Sequence, residues 1–162
     1  MVHSNLSRPR FSGILLHLSS LPYGGVCGTF GESSRKWIKL LSQNEISVWQ
    51  FLPLTPTDDT GSPYSSPSSF AFNPWFLDVD DLVREGFLTN KLDINFPKMD
   101  NHKRVDFKLA NLRVKSLNSS LAENWKNQKS TIKDEFEMWC QKQFWLDDHS
   151  TFMELKIQNH NL

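Results

Sequence analysis

FSGILLHLSSL, residues 11–21, holds a short apolar run that ends at His17 and is followed by a pair of serines. A run of that length before small polar residues suits a buried strand, GILLHL, that gives way to a loop. Outward from it, YGGVCGTFG (residues 23–31) is glycine-rich and turn-forming. It lacks the GxGxxG order, so it is not read as a phosphate cradle. In ESSRKWIKLLSQN (residues 32–44), Trp37, Leu40 and Leu41 fall on one helical face, and Ser33 or Ser34 can cap the helix. EISVWQFLPL (residues 45–54) is rich in Ile, Val, Trp and Phe and reads as a second strand whose pairing ends at Pro53. Strand, helix, strand in this order predicts a right-handed βαβ unit with parallel strands.

The loop after the second strand contains GSPYSSPSSFAFNP, residues 61–74, where serines and prolines are interleaved with Tyr64, Phe70 and Phe72. A linker has no use for the rings, and a core would not carry the serines. Loops beyond the carboxyl ends of parallel strands form the binding site of α/β folds. Position alone therefore puts this loop on the functional face. Tyr64 follows Pro63 and is flanked by Ser62 and Ser65, so a ring face stands beside hydroxyl groups. Carbohydrates, with apolar C–H faces rimmed by hydroxyls, fit that combination. Packing against the loop is the other role open to Tyr64.

Further on, WFLDVDDLVREGFL (residues 75–88) gives one short helix, with Asp80 or Asp81 as its N-cap and Gly86 as its stop. Residues 89–101 read as loop. Two helices follow. Val105, Leu109, Leu112, Leu117, Leu121 and Trp125 mark the first, and Ile132, Phe136, Trp139 and Gln143 share a face of the second, with Phe136 and Trp139 as core residues. A third helix begins near Asp147 or Asp148, either of which can cap it.

Composition bounds the function. The 162 residues carry 18 Lys+Arg and 18 Asp+Glu, so the net charge is zero, which argues against nucleic acid or an anionic membrane as partner. The N-terminus has no apolar core of a secretory signal, and no apolar run is long enough to span a bilayer, so a cytoplasmic protein is expected. Cys27 and Cys140 lie far apart, with no CxxC motif and no His pair at zinc spacing, and read as idle thiols. Asp78, Asp80 and Asp81 could supply a carboxylate pair, but sequence neighbours at a helix start read better as caps. His17 stands where a strand ends, and reads better as a holder of loop backbone than as a ligand to a substrate hydroxyl. Ser19 and Ser20 show no base partner, and no GxSxG elbow occurs.

Several motifs recur here in a familiar order: SGILLHLSSLPYG, GTFG, VWQFLPLTPT, SPYSSPSSFAFNP, LDVDDLVREGFL and FWLDDHSTFMELK. The chain thereby resembles the 4-alpha-glucanotransferases, the amylomaltases or disproportionating enzymes of glycoside hydrolase family 77. The resemblance runs from Arg10 to about Lys156 and is most specific between Trp49 and Leu88. It implies an α/β fold, the N-terminal part of a TIM (β/α)8 barrel with its first two strands, followed by a helical insertion. Residues 1–9 become a flexible N-terminus. Residues 10–88 become the first βαβ part, with a substrate-contact loop at 58–74. Residues 89–162 become the helical insertion, which stops before the next barrel strand.

The family passes α-1,4-glucan segments (from maltodextrins, starch or glycogen) to glucose or another glucan, by retaining double displacement. The resemblance assigns sugar contact to Ser62 and Tyr64 and loop shaping to Asn73. It implies no metal and no organic cofactor, because double displacement at the anomeric carbon needs only carboxylates. The family's nucleophile, general acid/base and ring-steadying aspartate all lie beyond its third strand and have no counterpart here, so no catalytic residue is assigned. A full barrel takes roughly 200 to 250 residues. The expectation is therefore an N-terminal portion, inactive alone, whose partner would be the missing C-terminal portion. The alternative is a non-catalytic glucan-binding remnant or a non-functional truncated product. An open two-strand edge also argues against independent stability. Three departures from the family pattern stand out: Asp59 where a Tyr is frequent, Phe72 where a Gly is frequent, and an apparent insertion around Cys27.

Overall fold

A computed structural model describes residues 10–22, 25–58, 60–89 and 104–159. The flexible segment expected at 1–9, the loop expected at 89–101 beyond Thr89, and Asp59 lie outside the described residues. Strand β1, Gly13–Leu15, pairs in parallel with β2, Val48–Gln50, in the register Gly13 with Val48, Ile14 with Trp49 and Leu15 with Gln50. Helix α1, Glu32–Gln43, connects them, so the expected βαβ unit is present. Both strands are shorter than their apolar runs. The ladder reaches Leu16, whose N–H donates to the Gln50 carbonyl at 2.9 Å, and then the chain turns into a 3-10 turn at Leu18–Ser20.

Two sequence expectations for α1 give way. Gly31, not Ser33 or Ser34, stands at the N-cap. The two serines sit buried inside the first turn, where their hydroxyls donate back to the Thr29 carbonyl, at 3.4 and 2.5 Å. Ser33 and Leu41 are buried and Trp37 between them is half-buried, a helical i, i+4, i+8 row flanked by buried Ser34, while Leu40 is about half exposed. Helix α2, Val79–Arg84, is capped by Asp78, not by Asp80 or Asp81. Asp78 enters the helix in extended conformation, so its Oδ1 can accept the Asp81 N–H at 3.1 Å. Gly86, with φ of +80°, ends the helix as expected.

Helices α3 (Phe107–Trp125), α4 (Ser130–Gln141) and α5 (Leu146–Gln158) make up the rest. Only α3 is built into the core: Ala110, Arg113 and Leu117 are buried on one face, and the expected Leu112 is exposed. Asp147 and Asp148 do not cap α5. Trp145 holds the cap, and the two carboxylates sit in the first turn, where the helix dipole favours them. Phe136 and Trp139, expected in the core, are about half exposed and pack on Trp125 and on each other.

The core itself comes mostly from loops. Leu18, Leu21, Val26 and Cys27 from the loop after β1 meet Trp75 and Phe76 beyond the loop after β2, and Ala110 of α3. Trp75 lies stacked on Phe107, centroids 5.2 Å apart, and donates from Nε1 to Asn111 Oδ1 at 2.8 Å. Arg113 is buried and donates to the Trp75 carbonyl, so α3 is fastened to both loops at once.

Candidate functional site

Both loops at the carboxyl ends of β1 and β2 converge on one cleft of about 230 Å³. His17, Ser19, Pro53, Pro63, Phe76 and Phe107 are among its walls. His17 stands at the head of the 3-10 turn. Its Nδ1 accepts the Ser19 N–H at 3.3 Å and lies 2.8 Å from the Ser19 hydroxyl. The proton is thereby assigned to Nε2, which donates to the Pro53 carbonyl at 3.5 Å. Burial pulls the His17 pKa below its usual value, with the Pro53 carbonyl partly offsetting this, so the ring is neutral at pH 7. His17 thus ties the first loop to the second, as its sequence position suggests.

The expectation that Ser19 has no base partner is corrected by the same geometry. His17 and Ser19 are two residues apart, a separation that the turn folds into contact. The pair lacks the third member of a nucleophilic triad: a backbone carbonyl, not a carboxylate, holds the far nitrogen. A carbonyl gives an imidazolium far less support than a negative charge does, so the contact caps a turn and does not activate a hydroxyl.

The second loop is knit by its own polar groups. Asp58 Oδ1 accepts the Thr60 hydroxyl at 2.5 Å and the Thr60 N–H at 3.0 Å. Hydrogen bonds from Thr60, then from the Ser65 hydroxyl and the Ser62 N–H, hold the Asp58 carboxyl below the usual carboxylate range. The Asp58 N–H donates to the Ser65 carbonyl at 3.0 Å, closing the segment that carries Ser62 and Tyr64. Gly61 sits at φ of +75° with its α-carbon against Phe107, where an added Cβ would approach the ring to 2.7 Å. At the far end of the loop, Asn73 is buried. Its N–H donates to the Leu54 carbonyl at 2.9 Å, and its Oδ1 accepts the Trp75 N–H at 3.0 Å. Ser62 is half-buried, and Tyr64 is 76% exposed. Gly61 and Pro63 line the cleft, while Ser62 and Tyr64 are not among its walls.

The acidic side chains are committed elsewhere. Asp78 Oδ2 accepts the Thr29 hydroxyl at 2.6 Å while its other oxygen caps α2. Asp81 takes two bonds from Arg35, at 2.7 and 2.9 Å, and one from Arg84 at 2.8 Å. Arg35 first, and Arg84 after it, lower its pKa to about 2. Cys27 is buried, which pushes its thiol up to about 11 against the pull of Arg113, so it is not a reactive thiolate. Among the described residues, no cluster of three or more His, Cys, Asp and Glu could hold a metal, and no helix is long and apolar enough to cross a membrane.

The arrangement is a ring-lined cleft with backbone carbonyl and hydroxyl groups on its walls and, among the described residues, no pair of facing carboxylates. Residues 16–162 match the sequence profile of the glycoside hydrolase family 77 4-alpha-glucanotransferases. A 4-alpha-glucanotransferase of Synechocystis is 41% identical over 155 residues, covering 94% of this chain and 30% of the relative. One from Thermus thermophilus is 33% identical over 150 residues, covering 91% of this chain and 29% of the relative. Among solved structures, an amylomaltase from Streptococcus agalactiae in complex with acarbose superposes with a TM-score of 0.85 at 29% identity, covering 95% of this chain and 31% of that one. The fold is thus an incomplete (β/α)8 barrel with a helical insertion. The chain spans about 30% of the length of these relatives.

Proposed function

Because the chain belongs to glycoside hydrolase family 77, the 4-alpha-glucanotransferases, we propose that it supplies part of the glucan-binding face of an enzyme that moves α-1,4-glucan segments to glucose or to another glucan. The observation that carries this reading is the loop after β2, which Asp58 and Asn73 brace and whose Gly61 and Pro63, the chain neighbours of Ser62 and Tyr64, line a cleft at the carboxyl ends of the strands. Tyr64 offers a ring face to a pyranose, and Ser62 offers a hydroxyl. Starch, glycogen and maltodextrins are the proposed substrates, and the cytoplasm is the proposed setting.

The proposed chemistry is retaining double displacement, which needs two carboxyl groups roughly 5 to 5.5 Å apart across the scissile bond. Asp78 and Asp81 are each bound into the α1–α2 junction, and Asp147 and Asp148 lie in the first turn of α5. None of these pairs can flank a sugar from opposite sides. The 162 residues are therefore proposed to bind and orient glucan, with the carboxylates coming from further barrel strands. Both outer edges of the β1–β2 pair are open among the described residues, and Leu15, Val48 and Phe51 along it are exposed, which supports pairing with such strands.

A chimera tests the reading. Residues 10–159 replace their counterpart in the Synechocystis relative, and glucose release from maltotriose is followed. The chimera should turn over, Tyr64→Ala should lower its kcat/KM by about tenfold or more, and the 162 residues alone should release no glucose above a mock purification. A folded chimera indifferent to Tyr64→Ala would remove the proposed role of this loop.

A further inference from the structure

Four rings run from the head of α1 to the cleft. Phe30 and Phe72 lie 5.6 Å apart between centroids, Phe72 and Phe76 5.9 Å, and Phe76 and His17 5.6 Å. The last two contacts are edge-on, with planes at 67° and 68°. Phe76 and His17 belong to the cleft wall, and Phe30 and Phe72 do not. Phe76 is 1% exposed, and its backbone is held as well, because the Phe30 N–H donates to the Phe76 carbonyl at 2.9 Å. A ring buried to that degree in a close-packed interior takes the orientation its neighbours leave it. Phe72 is such a neighbour, and it is one of this chain's departures from the family pattern. The consequence lies one ring further on. His17 reaches the Pro53 carbonyl at 3.5 Å and the Ser19 N–H at 3.3 Å, both at the long end of hydrogen bonding. A small displacement of the imidazole ends such bonds, so the ring packed against His17 decides whether the two loops are tied.

We propose that Phe72 is a positioning residue for the cleft: through Phe76 it keeps the His17 imidazole within reach of Pro53, and so sets the loop spacing on which glucan binding depends. Its effect on glucan rests on the function proposed above, whereas the coupling of Phe72 to His17 stands without it. Phe72 lies outside the cleft wall and touches no sugar in this role. Its loss therefore weakens binding, read as a rise in KM, and leaves the chemical step alone.

Two measurements test it. In the 162-residue chain, nitrogen NMR of the imidazoles at pH 7 reports the His17 tautomer, with the His17 signals identified by their loss in His17→Gln. The wild-type chain should show Nε2 protonated and Nδ1 bare. Phe72→Leu keeps apolar bulk but removes the ring, and should move both nitrogens toward the mixed tautomers of an untied imidazole. Phe72→Tyr keeps the ring and should match the wild type. Phe70→Leu lies on the same loop, and its ring contacts are with Phe144 and Trp145. It should also match the wild type, which a general loosening of the loop would not allow. In the Synechocystis chimera, Phe72→Leu should raise KM for maltotriose about threefold with kcat unchanged. Unchanged His17 signals in Phe72→Leu, or equal changes in Phe72→Tyr or Phe70→Leu, overturn the proposal. A chimera that responds to Tyr64→Ala and not to Phe72→Leu also overturns it and leaves the glucan reading standing. A chimera indifferent to both substitutions removes the glucan reading as well.

Discussion

At the carboxyl ends of β1 and β2, Leu18, Leu21, Cys27 and Phe76 are almost fully buried, whereas Leu15 and Val48 in the strands and Phe51 just beyond remain 57%, 45% and 41% exposed. At the amino end of β2 the contrast continues, with an open groove of about 400 Å³ lined by Ile38, Leu41, Ile46 and Trp49. The loop face is finished by its own residues. The strand wall is not. The loops carry serine, asparagine and aspartate side chains that satisfy backbone groups locally, and aromatics that pack on α3, so their shape does not depend on barrel closure. A strand of three residues in a two-strand sheet has nothing comparable and relies on a neighbour for its edge and its face. The site's geometry and the barrel's closure are therefore separable properties of this chain.

The comparison breaks most readily at Phe76. Phe76→Ala empties the loop core and should cost about 3 to 5 kcal/mol, against less than about 1 kcal/mol for Leu15→Ala on the wall. Urea midpoints of the two variants decide it, and equal losses would mean that wall and loop face are stabilised alike. A sharper cut goes through the α1–α2 junction. Asp78→Ala removes both a helix cap and the partner of Thr29, and should cost about 1 to 2 kcal/mol. Gly31→Ala should match it, because the new Cβ would come within 1.9 Å of Asp78 Oδ2 and drive the carboxylate out. If Gly31→Ala were neutral in thermal denaturation, the cap would not be what holds α2 to the first loop.

Trp139→Ala probes the helical region, where α4 and α5 bury no residue fully. Its loss of ring contact with Phe136 should cost about 1 kcal/mol. A loss near that of Phe76→Ala would place α4 in the core after all. The smallest expected effect is on pH dependence. Asp81 has its pKa lowered from 3.8 to about 2 by Arg35 and then Arg84, so the folded state holds its proton less tightly than the unfolded chain does. The stabilisation is complete above the unfolded value and drains away as pH falls from about 4 toward 2. Asp81→Asn should flatten that part of the urea-midpoint profile, and an unchanged acid slope would show that the pair contributes nothing there. The pair is partly exposed, so added salt should shrink the difference.

The sequence by itself determined the βαβ order, the place of the serine-rich loop beyond the second strand, the stop at Gly86, the three downstream helices and the family. All of these rest on local patterns: apolar runs, helical spacing, glycine at a left-handed position, and motifs in order. The tertiary structure decided which of several equivalent residues does each job. Asp78, Asp80 and Asp81 are equal as caps on paper, and Asp78 wins because Thr29, 49 residues away, fixes its second oxygen. His17 holds the loop because Pro53 lies within reach across 36 residues. Phe136 and Trp139 have core spacing and stay half exposed, because helical periodicity says which residues share a face and not whether anything packs against it. Gly61 and Pro63 line the cleft and Ser62 and Tyr64 do not, and the hydrogen bonds of Asp58 set the course of this loop in a way that no spacing rule encodes. Long-range contacts choose among local options, and a linear pattern records only the options.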